Sequence, residues 1–223
     1  MIYHLRFDEL LPYWDVIAKG LMFTIVLTII SSAAGVMLGT CAACARVFGA
    51  RWLDAVIAVY VELIRNTPFI VQLFFIFFGL PALGLKLTET QAAFLAMVIN
   101  LGAYSTEIVR AGIVAIPKGH IEAGASLAMS TSDIVRYVVL EQAFAKIYPA
   151  LCSQIIIVML GSSVVSQISA EDLTYAANFI QSRNFRAFEV YFVSAALYLI
   201  LAIAMRMVLG LIGRWWFRSL RHA

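Results

Sequence analysis

An all-α, polytopic membrane fold is predicted by three observations. The 223 residues are 63% hydrophobic and 13% charged, with a mean hydropathy of +0.92. A soluble domain carries roughly twice that fraction of charge. The apolar residues fall into five runs, each long enough to cross a bilayer as a helix. The longest stretch that cannot sit in lipid, 117–149, holds Lys118, Glu122, Asp133, Arg136, Glu141 and Lys146, with apolar runs on both sides. Little chain is left for an extramembrane domain, so residues 1–223 are expected to form one transmembrane domain.

The five spans are placed at about 20–45, 53–80, 88–115, 147–168 and 187–213. The amphipathic segment LLPYWDVIAKG precedes the first, with Tyr13 and Trp14 as interface anchors. Its acidic, aromatic start lacks the layout of a cleavable signal peptide, so the first span is expected to be retained. Gly35-x-x-x-Gly39 within that span would let another helix approach closely. Cys41 and Cys44 form a C-x-x-C but sit in an apolar helix with no histidine nearby, and read as small packing residues. Glu62, Arg65, Asn66, Thr67 and Pro68 interrupt the second span, and Pro68 should kink or break it. A polar break at membrane depth is tolerated only against protein or a water-filled cavity. The third span carries Asn100, Tyr104 and Glu107. The fourth carries Ser153, Gln154, Ser162, Ser163, Ser166 and Gln167. A polar loop, about 169–186, precedes the fifth, and RWWFRSLRHA reads as an aromatic, basic anchor.

Five spans put the chain ends on opposite sides. One side gathers Arg46, Arg51, Arg110, Lys118, Arg136, Lys146, Arg206, Arg214, Arg218 and Arg221. The other has Arg6, Lys19, Lys86, Arg183 and Arg186, with Arg65 left inside a span. The positive-inside rule makes the richer side cytoplasmic. The N-terminus is then periplasmic, and the loop 117–146 and the C-terminus are cytoplasmic.

Within that loop, Lys118–Met129 reads as a short amphipathic helix rich in small residues. Ile121, Ala125, Ala128 and Met129 would share one side, with Glu122 beside them. An interfacial helix lying on headgroups usually has large apolar and basic residues. This one has few of either, which favours docking into a groove of another protein.

Glu122-Ala123-Gly124-x-x-Leu127-Ala128-Met129-Ser130, then Val139-Leu140-Glu141-Gln142-Ala143 and Pro149, resembles the EAA loop of bacterial ABC-importer permeases. Arg65-Asn66-Thr67-Pro68-Phe69-Ile70-Val71-Gln72-Leu73 looks like the R-G-T-P-x-x-V-Q motif of the polar amino-acid uptake subfamily (histidine, glutamate, glutamine, arginine and opine type). Ser162-Ser163 and Glu171-Asp172-Leu173-Thr174 also match, and the resemblance covers nearly the whole chain. It implies five spans, pairing of two permeases, a cytoplasmic ABC ATPase homodimer that binds ATP and Mg, and a periplasmic amino-acid-binding protein. ATPase contacts are implied at Glu122, Ala123, Gly124, Leu127, Ala128 and Met129. This chain departs from the motif at Gly124 (usually alanine), Ala128 (usually glycine) and Glu141 (usually proline). Without that proline, the following helix should start earlier. Gly124 should weaken its helix by up to about 1 kcal/mol. Leu160 and Gly161 stand where the subfamily often has Lys-Asp, so a second, non-identical permease is expected to supply charged substrate contacts.

Ionisable groups at membrane depth are candidates for function. Glu62 and Arg65, at i, i+3, can neutralise each other. With Asn66, Thr67 and Gln72 they could steady the break or line a path. Asn100, Ser153, Gln154, Gly161, Ser162 and Ser163 are further path candidates. Glu107 reads as an interface pair with Arg110. No catalytic set is present. Gly79-x-x-x-x-Gly84-Leu85-Lys86 resembles a P-loop only superficially, with Lys displaced by one and no Ser after it. His4, His120 and His222 are too dispersed for a metal site. No cofactor is expected in this chain, and no nucleic-acid partner, because its basic residues are scattered. The expected function is the transmembrane subunit of an ATP-driven importer of a polar or charged amino acid. An ion-driven secondary transporter, which often shows paired repeats, or a membrane scaffold for a cytoplasmic partner are the alternatives.

Overall fold

The computed structural model describes residues 4–216. After a 3₁₀ turn, Phe7–Tyr13, come α1 (Trp14–Phe48), α2 (Arg51–Arg65) and α3 (Phe69–Phe74). The last continues through wide π-type turns, Phe75–Gly79, into a 3₁₀ turn, Leu80–Leu83. Then follow α4 (Glu89–Val114), α5 (Lys118–Ser126), α6 (Thr131–Asp133), π-type turns over Ile134–Val139, and α7 (Leu140–Gly161). A 3₁₀ stretch, Ser162–Ile168, leads to α8 (Leu173–Asn184) and α9 (Ala187–Trp216). Among the described residues four helical segments are long and apolar enough to cross a membrane, and five if α2 and the arm Phe69–Leu83, bent by 109° to each other, count together as one broken span. The five runs read from composition are all present.

Two spans are longer than expected. α1 has 35 residues, about 52 Å at ~1.5 Å per residue. It takes in the amphipathic lead-in from Trp14 onward, while the four residues before Trp14 lie in the 3₁₀ turn. The fourth span begins at Thr131 and runs to Ile168, not from 147. Ser130 caps it, its hydroxyl accepting from the Asp133 N–H at 3.2 Å. Pro149 lies inside α7 and does not start it. With glutamate at position 141, nothing stops the helix before the core. The polar loop therefore shrinks from 117–146 to α5 and its immediate flanks.

The polar stretch 169–186 is not a loop but holds α8. Asp172 caps it by accepting from the Tyr175 N–H at 2.8 Å. α8 seats on α1 where Gly20 leaves room: a Cβ there would lie 2.8 Å from the Asp172 carbonyl oxygen. The buried Thr24 hydroxyl accepts from the Leu173 N–H at 3.1 Å. Arg186 and Arg6 both pair with Glu9, at 2.9 Å, tying the N-terminal turn to the start of α9.

The centre of the molecule is the crossing of α1 and α4. The G-x-x-x-G of α1 meets α4 as its spacing predicts. A Cβ at Gly39 would stand 2.5 Å from Ser105 Cβ and 2.8 Å from the Gly102 carbonyl. One apolar cluster surrounds this crossing toward α3 and the Ser162–Ile168 stretch, through Leu73, Met97, Leu101 and Val165. A second lies at the α5 end, through Val109, Ile113, Ile134, Val139 and Ala143. A third holds α8 through Leu10, Ile17, Leu173 and Ile180. Of the two α1 cysteines, Cys44 packs on the second cluster while Cys41 is exposed. α9 stands at the margin, with most of its apolar side chains exposed. Arg218, Arg221 and the rest of the basic tail after Trp216 lie outside the described residues.

Candidate functional site: a broken helix, a polar cavity and an outward-facing short helix

Asn66-Thr67-Pro68 separates α2 from α3 because Pro68 has no N–H to continue the ladder and disfavours helical backbone at Thr67. The freed carbonyls need partners at membrane depth, and Gln72 supplies them. Its Nε2 donates to the Ile64 carbonyl at 2.7 Å and to Thr67 Oγ1 and O at 2.9 and 3.0 Å. Its Oε1 accepts from Asn100 Nδ2 at 3.0 Å, which fastens the break to α4. Gln72 is buried with its polar atoms engaged. It is the clasp of the broken helix and not an open path contact.

Two cavities flank the break and share Tyr104. One, about 450 Å³, is lined by Glu62, Arg65 and Asn66 of the break and by Arg46, Glu107 and Arg110. The other, about 470 Å³, is lined by Thr67, Asn100, Gln154 and Gly161, with Phe69 and Ile157. Seven of the sequence-derived path candidates thus gather around one ring: Glu62, Arg65, Asn66, Thr67, Asn100, Gln154 and Gly161. The Glu62–Arg65 pair allowed by i, i+3 spacing does not form. No ion pair within 4 Å joins them, and the Arg65 guanidinium instead lies 5.4 Å over the Tyr104 ring. Cation–π attraction holds the charge at the cavity wall and leaves Glu62 facing the same space.

The remaining candidates go elsewhere. Ser153 lines a separate cleft between α7 and α9, its hydroxyl donating to the Pro149 carbonyl at 3.0 Å. Ser162 and Ser163 donate to the carbonyls of Met159 and Leu160 at 2.7 and 2.9 Å. Those bonds tighten the turn that ends α7, and Ser162 is buried. Sequence reasoning missed Arg46, which had read only as the end of a span. It joins Asp54 at 2.7 Å and Glu107, while Glu107 also holds Arg110 at 2.9 Å. The expected Glu107–Arg110 pair is part of a four-residue chain linking α1, α2 and α4. The signal was available: the Gly39 crossing forces the ends of α1 and α4 together, and Arg46 and Glu107 stand just beyond it.

At the same end, α5 ends at Ser126, with Leu127 as its cap, shorter than the predicted Lys118–Met129. The Met129 N–H reaches the Gly124 carbonyl at 3.2 Å and the Ala128 N–H the Ala125 carbonyl at 3.0 Å. This is the Schellman closure, and it requires left-handed backbone at Ala128, where φ is +57°. The expected face is also rearranged. Ile121 and Met129 turn inward onto the second cluster, while Ala125 and Ala128 are exposed. Gly124 is buried, and a Cβ there would come within 3.0 Å of Ile134. It is the seat of α5 on Ile134 and not part of an outward surface. The outward face is Glu122, Ala123, Ala125, Ser126 and Leu127, the last 77% exposed.

Comparison with known proteins agrees with this architecture. Residues 35–222 match the family described as binding-protein-dependent transport system inner membrane component. The L-cystine transport system permease protein TcyB of Bacillus subtilis is 37% identical over 91% of this chain and 87% of its own length. The glutamine transport system permease protein GlnP of Escherichia coli is 34% identical over 91% of this chain and 94% of its own. A chain from the crystal structure of an amino acid ABC transporter with histidines superposes with a TM-score of 0.85 at 35% identity, over 95% of this chain and 99% of that one. The fold defines a transmembrane subunit of an ABC importer. The chain belongs to the binding-protein-dependent transport system inner membrane components, among the permeases of amino-acid ABC importers. It is a multi-pass inner-membrane subunit and not an enzyme; ATP hydrolysis in such systems belongs to a separate subunit. That membership sets aside the secondary-transporter and scaffold alternatives.

Proposed function

We propose that this permease moves a polar or charged amino acid through the cavities beside the α2–α3 break, driven by a cytoplasmic ATPase pair docked on α5. The observation that carries the reading is the two-sidedness of α5. Its inner side is fixed on Ile134 and its cluster, while Glu122, Ala123 and Leu127 stand outward with nothing over them among the described residues. An exposed leucine beside a carboxylate on a thin helix suits a groove in a soluble partner. In this reading the α5 end and the C-terminus are cytoplasmic and the α8 end is periplasmic, where a binding protein delivers substrate. ATP and Mg are held by the ATPase and not by this chain.

The cavity chemistry favours a zwitterion. Arg65 offers a carboxylate partner, Glu62 an ammonium partner, and Asn66, Thr67, Asn100 and Gln154 offer neutral hydrogen bonds. Gly161 leaves one wall of the second cavity without a charged group. A second, non-identical permease is the source of that contact.

The test is reconstitution of the complex in proteoliposomes with its ATPase and binding protein. ATP-dependent uptake of a radiolabelled polar amino acid is expected, with Glu62→Gln reducing it about tenfold, the scale of one hydrogen bond to a charged group. Absence of uptake for every amino acid tried, or full uptake by Glu62→Gln, contradicts the reading. A homodimer of this chain that transports by itself contradicts the need for a second, non-identical permease.

A further inference from the structure

A cleft of about 550 Å³ opens between α7 and α9 near their α5 end, outside the two cavities of the proposed path. Three cations line it: Lys146 of α7 and Arg206 and Arg214 of α9. No carboxylate lines it, and none of the three makes an ion pair among the described residues. Among the described residues the one hydrogen-bond partner of Lys146 is the Ala115 carbonyl at 3.2 Å, which is no counter-charge. Arg206 and Arg214 are i, i+8 on α9 and so share a face about 12 Å long. Between them Gly210 opens onto free space, and Gly213 closes on the Tyr148 ring. Tyr148 is fixed by donating its hydroxyl to the Leu209 carbonyl at 2.7 Å.

Arg206 is the informative residue. It stands inside the apolar run of α9, where an unpaired guanidinium is costly. Trp215 and Trp216, both largely exposed, mark the level of the membrane interface nearly three turns beyond, roughly 14 Å along the helix axis. The cleft runs from Arg206 toward that level past Gly210, which carries no side chain to block it, to Arg214. Three cations lining one cleft that opens toward the interface, with an apolar wall and no anion among the described lining residues, match the phosphate of an acidic lipid.

We propose that this cleft binds the phosphate headgroup of an anionic phospholipid, such as a phosphatidylglycerol-type lipid, wedged between α7 and α9. The lipid neutralises Arg206 and braces α9, whose contact with the rest of the molecule is otherwise slight.

The experiment is native mass spectrometry of the detergent-purified complex, titrated with phosphatidylglycerol or phosphatidylcholine, for the wild type and for a Lys146→Ala, Arg206→Ala, Arg214→Ala variant. The wild type is expected to retain phosphatidylglycerol preferentially. The variant should lose about fivefold in retention for each charge removed, the scale of one basic residue at an anionic surface, and Arg206→Lys should restore most of its share. The wild-type preference needs no variant, so a variant that fails to fold leaves the proposal open to contradiction. Equal retention of the two lipids by the wild type overturns it. So does unchanged retention by a folded variant, or displacement of the lipid by millimolar inorganic phosphate, which would assign the cleft to a soluble anion. Loss of permease pairing with lipid retention intact would assign the cleft to a second subunit and also overturns it.

Discussion

Ala128 shows how one residue type bears on a joint. Its φ of +57° is a region that costs an L-residue with a Cβ roughly 1–2 kcal/mol. Glycine is usual there in the EAA loop, and the αL closure explains why in physical terms. Ala128→Gly is expected to stabilise the α5 turn by about 1 kcal/mol, seen as slower amide exchange at Leu127 to Met129; faster exchange would contradict it. Gln72 is the opposite case, a side chain that a helix break cannot do without. Gln72→Leu removes the bonds to Ile64, Thr67 and Asn100, at a cost of roughly 0.5–1.5 kcal/mol for each hydrogen bond lost. The thermal transition of the purified protein should fall by several degrees, whereas an unchanged transition would mean that water takes over the clasp. Asp172 responds to pH. Burial pushes its carboxyl up to about 6 from an ordinary 3.8, against the opposing Tyr175 N–H and Tyr198 hydroxyl. A carboxyl raised in the folded state adds stability below the unfolded value, and that stability is lost as pH rises through about 6. Relative to Asp172→Asn, the wild type should therefore gain thermal stability between pH 7 and pH 5; parallel curves would refute the assignment.

Elements were legible in the sequence wherever one physical signal dominated. Apolar runs of membrane length gave all five spans, and G-x-x-x-G gave the α1 contact, realised at Gly39 against Gly102 and Ser105. Gly39→Leu should disrupt the crossing beyond the roughly 1–3 kcal/mol typical of overpacking, because the nearest atoms are backbone and Cβ. Loss of monodisperse protein in detergent is the readout. Elements failed to show where two signals competed. The polar composition of 169–186 reads as loop, yet Asp172 caps a helix there whose inner face, Leu173, Ala177 and Ile180, is buried. The start of the fourth span was obscured by charges at Asp133, Arg136 and Glu141, which stay at the surface while Ile134 and Val139 turn in. On α5, small residues on all sides left the helical face ambiguous. Ile121 and Met129 decided it by joining the neighbouring cluster.

At the scale of the whole molecule, the candidate path was legible as a set of residue types and not as a geometry. Polar groups at membrane depth named six residues that do converge on Tyr104, and the resemblance named a seventh, Gly161. The same signal also named Gln72, Ser153, Ser162 and Ser163, which satisfy carbonyls near their own positions. Sequence cannot distinguish a polar side chain that closes a backbone gap from one that faces a cavity. The Asp54–Arg46–Glu107–Arg110 chain is a long-range construction in the same class, since it exists only once α1 crosses α4. Three of its members, Arg46, Glu107 and Arg110, line the polar cavity, and α4 is the covalent route from there to α5. Both ends of that route belong to the described protein, and its use by an ATPase is the central claim.

The most direct test is the ratio of amino acid transported to ATP hydrolysed by the reconstituted complex carrying Glu122→Arg, which reverses the charge on the outward face of α5 without touching its buried side. The account predicts that uptake is lost while basal ATP hydrolysis persists and no longer responds to binding protein and substrate. Normal uptake with normal substrate-stimulated hydrolysis would contradict it.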